Sequence, residues 1–176
     1  MELALAEYRN YQEGIMPSGP GARDLIDFFA NVDGQLARAA REDPSAVASD
    51  QEVRRLVAAR AKTLYLGAAN YCWFIDPSKA LCLRLAGTPD ADKPLAGMCD
   101  SARCPQATHH PCHRPAWDSK ARAGKVFIGG LSRGQSAERA RLEASLARAE
   151  QVVAQIDQAA GTAVASMQEG IHGTRD

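Results

Sequence analysis

The chain has 176 residues, 45% apolar and 24% charged, with a net charge of zero, ordinary values for a soluble protein of one domain or one domain with an appendage. No apolar run reaches the ~18 residues needed to span a bilayer, and the opening residues, Met1-Glu2-Leu3-Ala4-Leu5-Ala6-Glu7, lack the basic segment and apolar core of a secretory signal. The charge is unevenly placed: residues 1–50 hold nine acids and four bases, 51–98 four and seven, 99–148 four and nine. A basic middle between acidic flanks hints at a polyanionic partner, below the charge density of a strong nucleic-acid binder.

Leu3, Leu5, Tyr8, Tyr11 and Ile15 form an imperfect apolar stripe that predicts a helix over 2–15, broken by Pro17-Ser18-Gly19-Pro20-Gly21. Leu25, Phe28, Phe29, Val32, Leu36 and Ala39 recur at helical spacing and predict an amphipathic helix over 22–41, ended by Asp43-Pro44. Ser49-Asp50-Gln51-Glu52 reads as a capping box opening a helix over 50–66. Its Val53, Leu56, Val57, Leu64 and Tyr65 face inward, and Arg54, Arg55, Arg60 and Lys62 make a basic outer face, either solvated or in contact with phosphate.

Tyr71-Cys72-Trp73-Phe74-Ile75 reads as a short buried strand. Asp76 and Pro77 are an N-cap and first-turn proline for a short helix over 77–86, and Gly87 is its stop. Cys72 and Cys82 read as small core residues. A proline-bounded loop over 88–94 leads into a cysteine- and histidine-rich stretch. Residues 117–130 are ambiguous between helix and a short strand at Lys125–Ile128, with helix favoured, and glycines over 129–134 form a hinge. From Ser136, Leu142, Leu146, Ala149, Val153, Ile156 and Ala160 step by threes and fours, the seam of a coiled coil or helical hairpin. Residues 161–176 read as a mobile tail.

Between Met98 and Pro115, Cys99, Cys104, His109, His110, Cys112 and His113 place six metal-capable side chains within fifteen positions. Cys-x4-Cys-x5-His-x-Cys suits a tetrahedral zinc knuckle, because zinc takes thiolate and imidazole ligands. The predicted ligands are Cys99, Cys104, His110 and Cys112, with His109 or His113 as alternative imidazoles. Cys82 could replace the histidine to make a four-cysteine site with Cys99, Cys104 and Cys112, which could hold an iron–sulfur cluster. Three of five cysteines beside histidines fit a reducing cytoplasm better than a disulfide framework. A structural role follows from the thiolate-rich set and the lack of a nearby glutamate base. There is no phosphate-cradling glycine loop, Gly-x-Ser-x-Gly or His-Glu-x-x-His, so the sequence points away from an enzyme.

The run Leu64-Tyr65-Leu66-Gly67, Asn70 to Phe74, Asp76-Pro77, Ala80 to Pro89 and Cys99 to His110 resembles a C-terminal region of large integrase-like proteins of actinobacterial mobile elements, over roughly residues 55–155. Tyrosine recombinases cut DNA with a nucleophilic tyrosine supported by arginines and a histidine, and this chain does not match that constellation. The resemblance therefore implies an accessory, non-catalytic part associated with DNA or a recombinase.

The expectation is a mainly α-helical domain over 1–133 with a zinc knuckle at 98–115, then a protruding helix over 134–160. As a DNA-binding or recombinase-associated module it would contact DNA through Arg54, Arg55, Arg103, Arg114, Lys120, Arg122, Lys125 and Arg133. The competing expectations are a protein-interaction or self-association module acting through 136–160, and a cysteine-based redox or metal sensor.

Overall fold

A computed structural model describes residues 1–42 and 50–172, with side chains described as far as Gly161. Asp43-Pro44 and the capping Ser49 therefore lie outside the described residues. Among the described residues the fold is mainly α, 66% helical, with six helices and one small three-stranded antiparallel sheet. No helix among them is long and apolar enough to cross a membrane.

Three helices form the N-terminal layer: α1 (Glu2–Gln12), α2 (Ala22–Glu42) and α3 (Asp50–Ala61). Their apolar stripes meet as the periodicity requires. Ala4, Leu5 and Tyr8 of α1, Leu25, Phe29 and Val32 of α2 and Val57 of α3 are buried together with Trp73. Helix α1 ends before Ile15 because Gly14 turns left-handed at φ 81°, and the Ile15 N–H closes back on the Asn10 carbonyl.

Arg60 is not part of a basic outer face. Its guanidinium lies over the rings of Phe28 and Trp73 at 5.0 and 5.8 Å and pairs with Asp24 at 2.5 Å. The long stem covers apolar surface while the charged head keeps a partner.

Helix α3 stops at Ala61 instead of running to 66. Leu64–Leu66 forms strand β1, paired antiparallel with β2 (Tyr71–Trp73), and β3 (Ala107–Thr108) flanks β2 on its other side. The Gly67 N–H to Asn70 carbonyl bond closes the β1–β2 turn, a tertiary pairing that overrides the helical reading of 62–66. Gln106 clips the end of β2 in place. Its carbonyl oxygen accepts from the Ile75 and Asp76 N–H groups, both at 2.8 Å, and its amide donates to the Asp76 carbonyl.

Asp76 caps the following turn by accepting from the Ser78 N–H, with Pro77 in the first position. That turn is 3-10 over Pro77–Lys79, and α4 occupies Leu81–Ala86, ending at Gly87 with φ 69°. A short 3-10 turn at Ala96–Met98 is the only helical piece between α4 and β3 among the described residues.

The ambiguous 117–130 stretch is helical throughout: α5 spans Arg114–Gly130. Packing decides this, since Trp117 and Ala121 are buried against Ala149, Val152 and Ile156 of the helix that follows. Helix α6 runs from Ser136 to His172, so the helix passes residue 160, where the sequence reading places a mobile tail. The two helices form an antiparallel hairpin, with Arg114 at the start of α5 paired to Asp157 at 2.6 Å. Trp117 also donates to the Ala69 carbonyl at 2.7 Å, fastening the hairpin to the β1–β2 turn.

Candidate functional site

The small sheet separates two clusters of reactive side chains. Side chains alternate across a strand, so neighbours in sequence leave by opposite faces. Cys72 lies opposite Ala107, and Tyr71 opposite Thr108. Cys72 and Ala107 line a cavity of about 600 Å³, along with Cys82, Cys99 and Cys104. Tyr71 and Thr108 instead face α1 and the histidines.

The cavity is bounded on its far side by the hairpin, through Trp117, Lys120 and Arg148. Its cysteines come from three separate pieces of chain: β2, α4, and the 99–104 turn before β3. All are free thiols; Cys82 and Cys104 are buried, Cys72 is half-buried and Cys99 exposed. Burial pushes the Cys72 thiol up to about 12, with further upward contributions from Cys104, Cys99 and Cys82. The Cys99 thiol is raised likewise, by burial first and then by Cys104 and Cys82. Cys99 and Cys104 are held in one tight turn, in which the Arg103 and Cys104 N–H groups both donate to the Asp100 carbonyl and Arg103 folds back onto the Asp100 carboxylate at 2.7 Å.

On the other face, His110 is held at both ring nitrogens. Its Nδ1 lies 2.7 Å from Glu7 Oε2, and its Nε2 lies 2.9 Å from Thr108 Oγ1, which also accepts from Trp73 Nε1 at 3.1 Å. Glu7 and His110 side chains are 7% and 5% exposed, so this chain of groups is closed to bulk water. His113 Nδ1 accepts from the His110 backbone N–H at 3.0 Å, and its ring stands edge-on to Tyr71 with centroids 4.4 Å apart. Cys112 Sγ lies 3.5 Å from the Tyr71 hydroxyl. His109 is fully buried, with Nε2 3.3 Å from Ser101 Oγ and its ring edge-on to Trp117. Burial holds His109 and His113 down at about 4 each, helped by neighbouring histidines, although Glu7 pulls His113 the other way.

The predicted ligand set is therefore divided. Cys99 and Cys104 line the cavity, while His110 and Cys112 lie among Glu7, Thr108 and Tyr71. Of the alternative imidazoles, His113 packs with His110 and Tyr71, whereas His109 is engaged with Ser101 and Trp117, two residues of the cavity wall. Cys82 does join Cys99 and Cys104, but with Cys72 in the place given to Cys112. The sequence signal for Cys72 was its period-two relation to the strand face shared with Ala107, visible only once β3 is known to pair with β2. As the side chains lie, no three His, Cys, Asp or Glu groups among the described residues are in position to hold a metal ion.

The predicted nucleic-acid contacts are largely engaged within the chain. Arg54 pairs with Glu2, Arg55 with Glu52, Arg103 with Asp100, Arg114 with Asp157, Arg122 with Asp118 and Lys125 with Glu150, all at 2.5–2.9 Å. Lys120 stands over the Trp117 ring at 4.9 Å. Arg133, on the hairpin turn, enters none of the ion pairs among the described residues. The outer face of α5 carries two exposed large apolar side chains, Val126 at 75% and Phe127 at 66% exposure. Comparison with protein-family models, curated proteins and solved structures finds no match to the chain.

Proposed function

We propose that this chain is a non-catalytic accessory module that docks on a protein partner through the tip of its α5–α6 hairpin. The recombinase association implied by the resemblance over residues 55–155 names the partner class. The observation that carries this reading is the exposed Val126–Phe127 pair at the end of α5. It is flanked by charged residues whose partners are already supplied from within, Arg122 by Asp118 and Lys125 by Glu150. An apolar centre with a satisfied polar rim is the anatomy of a protein interface. Cations already neutralised by carboxylates contribute little to phosphate binding, which depends on counterion release by free charge. Glu7 and Thr108 occupy both ring nitrogens of His110, and that favours a scaffold over acid–base chemistry.

The test mixes the full chain with a purified tyrosine recombinase of an actinobacterial mobile element and reads complex formation by size exclusion with light scattering. A complex should form with the wild type and be lost in the Val126→Asp/Phe127→Glu double variant, whose circular dichroism should be unchanged. No complex with the wild type, or an equal complex with the double variant, ends this reading. Titration of a mixed-sequence DNA duplex with salt tests direct DNA contact. Binding tighter than about 100 μM that weakens steeply with salt, the mark of phosphate contact, would favour DNA over a protein partner.

A further inference from the structure

We infer that Cys72, Cys82, Cys99 and Cys104 form a four-thiolate site for a tetrahedral divalent metal, with zinc the ion suited to this donor set. The site is separate from the docking tip and stands or falls independently of it.

The four donors line one cavity and come from β2, α4 and the Cys99–Cys104 turn, so closing them on an ion ties those three pieces together. The segment that would be tied has little regular structure of its own. Between α4 and β3 it has one 3-10 turn and rests on a small core of Phe74, Ala80, Cys82 and Leu83, with Cys72, Ala91 and Leu95 packed against it. Two of the proposed ligands thus already belong to that cluster. Irregular segments of this kind gain their order from a structural metal, whose binding free energy is folding free energy.

Capture of the ion requires the thiols to turn inward. A cysteine sulfur moves by rotation about χ1 among staggered settings, and Cys72 and Cys99 are the two of the four that are not buried. Each thiol gives its proton to solvent as its sulfur–zinc bond forms, leaving a centre of net charge −2. Lys120 and Arg148 line the same cavity and oppose that charge from the hairpin side. His110 and Cys112 are excluded from the site because they are held beside Glu7, Thr108 and Tyr71.

The test uses the full chain, purified reduced and incubated with zinc, then measured by native mass spectrometry. One zinc per chain should be retained, and lost in Cys72→Ser and Cys99→Ser. It should persist in Cys112→Ser and His110→Gln. Because Cys82 and Cys104 are buried and their variants could fail to fold, the wild-type chain loaded with cobalt gives a second readout. Tetrahedral d–d bands with thiolate charge-transfer absorption of four-sulfur intensity support the site. Absorption from three or fewer sulfurs, zinc lost in the Cys112 or His110 variant but kept in the Cys72 variant, a disulfide among the four, bound iron, or no retained metal would each overturn it.

Discussion

Substituting Gly19 by alanine tests how tightly the 17–21 turn is locked to the histidine face. Ser18 and His109 exchange backbone hydrogen bonds at 2.8 Å in both directions, and the Gly21 N–H donates to the Ala107 carbonyl at 2.8 Å. Gly19, between them, has φ +91°, and a Cβ there would lie 2.6 Å from His109 Nδ1 and 3.1 Å from Cε1. His109 has little room to yield, since it is fully buried and held between Ser101 and Trp117. Left-handed backbone costs a non-glycine residue about 1–2 kcal/mol, and overpacking a filled site adds about 1–3 kcal/mol. Gly19→Ala should therefore destabilise by roughly 2–5 kcal/mol.

Gly34 is the control: it sits in the middle of α2, and a Cβ added there would meet nothing within 4 Å, so Gly34→Ala should stabilise by about 0.5–1 kcal/mol. Urea unfolding followed by circular dichroism reads both. With a slope of about 1–3 kcal/mol per molar, Gly19→Ala should lower the midpoint by on the order of 1 M or more, and Gly34→Ala should raise it. A Gly19→Ala midpoint within about 0.3 M of wild type, well under the change expected from that slope, would refute the argument that His109 cannot move.

Acid should weaken the fold before ordinary carboxylates titrate. His109 and His113 are held near 4 against an ordinary 6.5, so between those values the unfolded chain binds more protons than the folded one and stability falls as pH falls. For His109 alone the slope is about 1.4 kcal/mol per pH unit, about 3 kcal/mol across the window. Urea midpoints unchanged between pH 7 and pH 4.5 would contradict this. Glu7→Ala leaves His110 Nδ1 buried without its hydrogen-bond partner and should cost about 1–3 kcal/mol, measured by chemical denaturation. In the hairpin, Ile156→Ala removes a buried side chain and should cost about 2–5 kcal/mol. Asp157→Asn one residue away breaks only the half-exposed pair with Arg114 and should cost under about 1 kcal/mol. Equal losses in those two variants would show that apolar packing is not what holds the hairpin.

Local patterns determined much of the helical content. The stripe of Leu25, Phe29 and Val32 on α2, the Asp76–Pro77 cap and the Gly87 stop are set by residues within a turn or two of one another, and each appears where the pattern places it. The crowding of cysteines and histidines over 99–113 was equally legible. Which of them share a space was decided by tertiary structure, because β3 is only two residues long and exists through pairing with β2, a strand more than thirty positions earlier. That pairing fixes the side of the sheet to which each residue turns. It groups Cys99 and Cys104 with Cys72 and Cys82, leaving His110 to Glu7. The same cause explains β1, whose Leu64–Leu66 run reads as helix until its partner strand is known, and Arg60, drawn inward by Phe28 and Trp73. Spacing along the chain carries the chemistry of the donors, whereas long-range register determines which donors can meet.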